Sequence, residues 1–106
     1  EAFGAPTDYS TAKSAVISLA KNLARKSTNV RVNVIAPGNI IFPGSSWDVK
    51  NKNNKKNVDE MLNKIVPMNR FGVPEEISDA AVFLCSDRAA MVIGQVYHVN
   101  GGTYLP

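Results

Sequence analysis

Apolar positions along the chain change period several times, and each change marks an element. From Ala12 onward, Ala12, Ala15, Val16, Leu19, Ala20, Leu23 and Ala24 recur at spacings of three and four, with Lys21, Asn22, Arg25 and Lys26 off that stripe. The period predicts one long amphipathic helix, its alanines permitting close approach of another helix or a sheet. Thr7 or Asp8 is placed to cap its start. Ser27-Thr28-Asn29 ends it, and Arg25 and Lys26 in the last turn complement the helix dipole. Before it, Glu1 to Thr7 reads as a loop punctuated by Gly4 and Pro6.

The run Val30-Arg31-Val32-Asn33-Val34-Ile35-Ala36 is β-branched and mostly apolar, which predicts a strand buried on both faces of a parallel sheet. Helix followed closely by strand is an α/β crossover unit. Pro37-Gly38 halts the strand, and ligands of open parallel sheets sit beyond strand carboxyl ends, so residues 37–46 fall where a ligand would be. Residues 39–57 read as a long loop continued by a short helix over Val58–Val66, with Met61, Leu62 and Ile65 at helical spacing. Together, 39–66 is expected to form a lid. Ile40, Ile41, Phe42 and Trp47 either make it apolar towards a substrate or pin it to the core. Pro74 suits a first helical position, and Glu75 and Glu76 its first turn. Ile77, Ala80, Ala81, Leu84 and Cys85 then form a buried stripe, with Cys85 read as a small core residue. Gln95–Val99 is a last strand closed by Gly101-Gly102, and its His98 reads as a packed or interface residue.

Composition narrows the function. A chain of 106 residues with 44% apolar content suits one small globular domain. No apolar run reaches the roughly 20 residues that span a bilayer, and no membrane partner is expected. A single cysteine precludes an internal disulfide and points to a cytoplasmic setting. The net charge of +3 comes from Lys50, Lys52, Lys55 and Lys56; the remaining eight cations face nine acids, a balance of −1. That run carries no aromatic and no arginine, so it reads as a solvated, mobile loop rather than a nucleic-acid site.

Tyr9 and Lys13 stand four residues apart at the start of the first helix, which places a phenol and an ammonium on one face. The cation favours the phenolate, so the pair suits proton transfer at a carbonyl or alcohol carbon. The alternative is a ring packed on a lysine stem within a non-enzymatic helical interaction module.

Four blocks then carry a family resemblance. Tyr9-Ser10-Thr11-Ala12-Lys13-Ser14-Ala15-Val16, Val30 to Gly38, Arg70-Phe71-Gly72-Val73-Pro74-Glu75-Glu76-Ile77, and Gly94-Gln95 with Val99-Asn100-Gly101-Gly102 resemble, in order and spacing, the C-terminal half of a short-chain dehydrogenase/reductase. The resemblance implies an α/β fold, the C-terminal portion of a Rossmann-type doubly wound parallel sheet, with residues 1–106 as half of one domain. It implies NAD or NADP as cofactor and hydride transfer between an alcohol and a carbonyl. Tyr9 matches the family's catalytic tyrosine, and Lys13 the lysine that bonds the nicotinamide ribose and supports that tyrosine. Pro37, Gly38, Asn39 and Ile40 match the loop at the nicotinamide end. An apolar substrate is expected, such as a 3-oxoacyl thioester, a steroid-like ring or a ketone, and a homodimer or homotetramer. Phe42 departs from a frequent threonine, whose hydroxyl Ser45 or Ser46 could replace, and Asn100 from a frequent aspartate. The glycine-rich pyrophosphate turn and the family's catalytic serine have no match here, so the isolated chain is expected to be inactive.

Overall fold

A computed structural model describes residues 5–105. Elements follow in the order α1 (Thr7–Lys26), β1 (Val34–Pro37), α2 (Ser46–Asn53), α3 (Lys55–Ile65), α4 (Pro74–Cys85), a single 3-10 turn (Asp87–Ala89) and β2 (Val96–Val99). Residues 1–4 of the expected leading loop lie outside the described residues. The strands pair in parallel, from Val34 opposite Val96 to Pro37 opposite Val99. Parallel neighbours require a crossover, and α2, α3 and α4 supply it.

Helix α1 forms where its period predicts, but its start and its face differ from expectation. Pro6 occupies the cap position, and neither Thr7 nor Asp8 caps the helix with its side chain. Only Ala24 is buried; Leu19 is 60% exposed, with Val16 and Leu23 about as open. The apolar stripe is therefore largely open; Ala20 is part-buried, and at the end Ala24 lies beside Gly94.

The first strand is shorter than its sequence suggests and only half-buried. Residues 30–33 are fastened by one backbone bond, from the Gly94 amide to the Val32 carbonyl at 2.7 Å, and by side chains. The Arg31 guanidinium donates to the carbonyls of Leu84 at 2.7 Å and Ser86 at 3.0 Å, satisfying the open end of α4. Asn33 donates to the Val92 carbonyl at 2.9 Å and accepts from the Gln95 amide at 3.0 Å.

The expected loop is largely helical, and the lysine run is not a mobile loop. Ser45 caps α2 by accepting from the Asp48 amide at 3.1 Å, and Asn54 caps α3 by accepting from the Asn57 amide at 3.2 Å. Ion pairs one turn apart, Lys52 with Asp48 and Lys55 with Asp59, support each helix. Buried Val58, Leu62 and Val66 form the principal core cluster, with Met61 and Phe71 packed against it. Trp47 meets Phe71 at a tilt of 42° with ring centroids 5.3 Å apart, so it pins α2 to that core, whereas Phe42 is exposed.

Pro74 opens α4 as expected. Leu84 is buried in its stripe, but Cys85 is exposed, one position round the helix from the side facing the strands. Among the described residues no helix is long and apolar enough to cross a membrane.

Candidate active site

Tyr9 and Lys13 lie on consecutive turns of α1 and meet there. The Lys13 Nζ stands 5.4 Å from the centre of the Tyr9 ring, within range of a cation–π contact. Tyr9 is 57% exposed.

Pro37, Gly38, Asn39 and Ile40 occupy the carboxyl end of β1, tied on two sides. The Gly38 amide donates to the Val99 carbonyl at 2.9 Å, continuing the parallel ladder. A Cβ on Gly38 would stand 2.7 Å from the Asn100 Cα, so only glycine permits this approach of the two strand ends. On the other side, Ile41 donates to the Gly72 carbonyl and Gly72 to the Asn39 carbonyl, each at 2.9 Å. A Cβ on Gly72 would meet the Ile40 Cδ1 at 2.7 Å.

A cleft of about 540 Å³ opens at this end of both strands. Gly38, Asn39 and Ile40 form one wall, and His98, Asn100 and Tyr104 line it as well. Its position beyond the strand carboxyl ends is where open parallel sheets bind ligands. Of the six expected site residues, Gly38, Asn39 and Ile40 line it, whereas Pro37, Tyr9 and Lys13 do not, so the structure does not bring the six together in one cleft.

Sequence reasoning missed the polar fixtures of this cleft. Arg70 grips Glu76 with two hydrogen bonds, Nη1 to Oε2 at 2.9 Å and Nη2 to Oε1 at 2.6 Å, the bidentate geometry of a strong ion pair. The Glu76 carboxylate also accepts from the Val73 amide at 3.0 Å, closing the first turn of α4. The hydrogen bonds from Arg70 and then from Val73 hold the Glu76 carboxyl down at about 2, and Glu76 in turn raises the Arg70 guanidinium. An arginine shortly before Pro74, with an acid in the following first turn, was the available signal. Asn100 uses both ends of its amide: Nδ2 donates to the Tyr104 carbonyl and Oδ1 accepts from the Gly102 amide, both at 2.9 Å. An aspartate could accept but not donate, so this asparagine is specified by its own turn. Gly101 and Gly102 follow at positive φ, 62° and 86°. The His98 ring packs on Tyr104 at 5.2 Å, the packed role expected for it. Ser45, a possible stand-in for the hydroxyl lacking at Phe42, is buried and already accepts from the Phe42 and Asp48 amides. Ser46 remains exposed. Among the described residues no group of three or more His, Cys, Asp or Glu is placed to hold a metal ion.

Comparison with known proteins gives one consistent result. A family profile described as Enoyl-(Acyl carrier protein) reductase matches residues 1–104. A 3-oxoacyl-(acyl-carrier-protein) reductase of Aquifex aeolicus is 38% identical over 102 residues, covering 92% of this chain and 38% of that protein. Its counterpart in Chlamydia trachomatis is 44% identical over 98 residues, covering 91% and 37%. Among solved structures, a short-chain dehydrogenase/reductase from Brucella melitensis superposes with a TM-score of 0.78 at 34% identity, covering 97% of this chain and 41% of that one. L-sorbose reductase from Gluconobacter frateurii, complexed with NADPH and L-sorbose, gives a TM-score of 0.79 at 33% identity, covering 92% and 40%. The chain thus spans 37–38% of the length of these curated relatives.

Proposed function

The chain belongs to the short-chain dehydrogenase/reductase family and carries part of its Rossmann-type α/β fold, and from that premise we propose that it supplies the proton-transfer half of an NAD(P)-dependent oxidoreductase acting between an alcohol and a carbonyl. The observation that carries this reading is the Tyr9–Lys13 pair, an accessible phenol with an ammonium 5.4 Å from its ring centre. In reduction the Tyr9 hydroxyl gives its proton to the carbonyl oxygen; in oxidation the same oxygen takes the proton from the alcohol. Lys13 compensates the negative charge left on that oxygen and offers N–H donors to hydroxyls of the cofactor.

A nicotinamide cofactor, when bound, supplies or accepts the hydride. The residues present fit one end of it. Gly38, Asn39 and Ile40 line the 540 Å³ cleft at the carboxyl ends of the strands, hydrogen-bonded towards Val99 on one side and Gly72 on the other, with Pro37 just before them. In this reading the residues act with further polypeptide that completes the cofactor site, as one domain, and α2 and α3 cover the substrate. The 106 residues alone then do not turn over. The likeness to 3-oxoacyl-(acyl-carrier-protein) reductases favours a 3-oxoacyl thioester as substrate, and a cytoplasmic setting belongs to the same reading. The exposed stripe of Val16, Leu19 and Leu23 supports a homodimer or homotetramer formed through α1.

The test is Tyr9→Phe in a polypeptide that reduces a 3-oxoacyl thioester with NADH or NADPH. Turnover should fall by about 10²-fold or more, the scale of general acid–base catalysis, with cofactor affinity and assembly retained. Unchanged turnover would overturn the role of Tyr9. Carbonyl reduction by a 106-residue chain of verified mass would overturn its dependence on further polypeptide.

A further inference from the structure

Gly72 joins one wall of the cleft to the Arg70–Glu76 ion pair. Its amide donates to the Asn39 carbonyl and its carbonyl accepts from the Ile41 amide, each at 2.9 Å. The two bonds make a parallel bridge between Gly72 and Ile40. Both use the neighbours of Ile40, so the N–H and C=O of Ile40 itself are turned away from Gly72. Ile40 lines the cleft, and these two groups are what its backbone can offer a ligand there.

Glycine alone is a poor fixture, because its backbone has the widest freedom of any residue. The peptide groups on either side of Gly72 are gripped instead. The Arg70 Nη1 donates to the Phe71 carbonyl at 3.0 Å, and the Glu76 Oε2 accepts from the Val73 amide at 3.0 Å. Arg70 and Glu76 are themselves joined by two hydrogen bonds. One ion pair therefore clamps the residues before and after Gly72. Packing agrees with this: a Cβ on Gly72 would stand 2.7 Å from the Ile40 Cδ1 and 3.4 Å from the Glu76 Oε2, so the glycine is fitted between wall and clamp. Both side chains remain partly exposed, at 48% and 37%. A forked pair in that setting fixes direction more than it adds stability.

We infer that Arg70 and Glu76 are positioning residues for the nicotinamide end of the cofactor: their clamp on Gly72 fixes where Ile40 presents its backbone to the cleft. The inference rests on the NAD(P)-dependent function proposed above. Neither residue acts on the reacting atoms; both work through Gly72. A role for Arg70 as a free anion site fits less well, because two of its nitrogens are committed to a carboxylate that cancels its charge.

The test uses the polypeptide of the Tyr9→Phe experiment and reads KM for NADH or NADPH apart from kcat. Arg70→Met and Glu76→Ala should each raise the cofactor KM about tenfold, within the up to about 10²-fold that a misplaced group can cost. The double variant should be no worse than about twofold beyond the poorer single one, because the pair acts as one clamp. Arg70→Lys keeps the charge without the fork, and its KM should stay nearer that of Arg70→Met than that of the parent. Asn33→Ala is the control. It cuts two ties, to Val92 and Gln95, at the opposite end of the strands, and should leave the cofactor KM within about twofold. Loss of folded protein alone would lower kcat and spare KM. Without cofactor, hydrogen exchange at the Ile41 and Gly72 amides should quicken in Arg70→Met and not in Asn33→Ala. An unchanged KM in Arg70→Met, an equal rise in Asn33→Ala, full recovery in Arg70→Lys or unchanged exchange at both amides would overturn the positioning role and leave Tyr9 untouched. Failure to bind either dinucleotide would overturn the reading of the cleft, and this inference with it.

Discussion

Gly38→Ala tests whether the end of the sheet is set by van der Waals contact. The added methyl would stand 2.7 Å from the Asn100 Cα, 2.9 Å from its Cβ and 3.0 Å from its carbonyl oxygen. None of these atoms is the tip of a flexible side chain, and Asn100 is held by its bonds to Gly102 and Tyr104. The strand ends must therefore part, at the about 1–3 kcal/mol of an overpacked site. Parting them also loses the Gly38–Val99 hydrogen bond, worth about another 1 kcal/mol. Gly44→Ala is the matched control: nothing lies within 4 Å of its missing Cβ, but its φ is 81°, which costs an alanine about 1–2 kcal/mol. Both substitutions stiffen the unfolded chain alike, so that contribution cancels between them. Urea midpoints at equal m-values should place Gly38→Ala below Gly44→Ala by about 1–2 kcal/mol, and hydrogen exchange at residue 38 should quicken. A Gly38→Ala protein as stable as Gly44→Ala, with slow exchange at residue 38, would refute the close-contact argument.

Further outcomes follow from single hydrogen-bonded groups. Ser45→Ala removes one oxygen that accepts from two amides, Phe42 and Asp48; the lost cap and the unsatisfied amide should together cost about 2 kcal/mol in urea unfolding. Glu76 has its carboxyl lowered from 4.5 to about 2 in the fold, so its contribution is complete above about pH 4.5 and is lost as pH falls towards 2. Glu76→Gln should flatten that part of the acid-unfolding curve, and an unchanged curve would count against the Arg70 grip. Asn100→Asp turns a donor into a carboxylate facing the Tyr104 carbonyl and should destabilise by about 1–3 kcal/mol at neutral pH. Its deficit in thermal unfolding should shrink in acid, where a protonated carboxyl donates again.

Legibility in the sequence followed the kind of signal each element carries. Helix α1 announced itself by apolar period and α4 by Pro74-Glu75-Glu76, and both formed there. Helix α2 has no buried residue and hence no stripe to read; it is supported by the Ser45 cap, the Asp48–Lys52 pair and the Trp47–Phe71 contact, which a count of lysines and asparagines presents as a loop. Over Val30–Asn33 the strand signal outran the ladder: only the Val32 carbonyl pairs along the backbone, with the Gly94 amide, while Arg31 and Asn33 reach distant carbonyls with their side chains, a use composition does not display. Burial of the α1 stripe and of Cys85 was inferred from period alone, and period identifies a face without saying what covers it. In the site, the i, i+4 spacing of Tyr9 and Lys13 was enough to place them together. One wall of the cleft, residues 38–40, was legible from the strand's stop at Pro37-Gly38; the rest, drawn from residues 66–105, was not, because strand register brings it there.

That register has a kinetic consequence. Val34 meets Val96, and the Asn33–Val92 bond closes a separation of 59 residues. Bringing such ends together costs on the order of 4 kcal/mol of chain entropy before any contact rewards it. The α2–α3 elbow needs only neighbours, and helices of this kind form within about a microsecond. Folding should therefore begin in the crossover and end at the sheet, with Arg31 joining the segment before β1 to the end of α4.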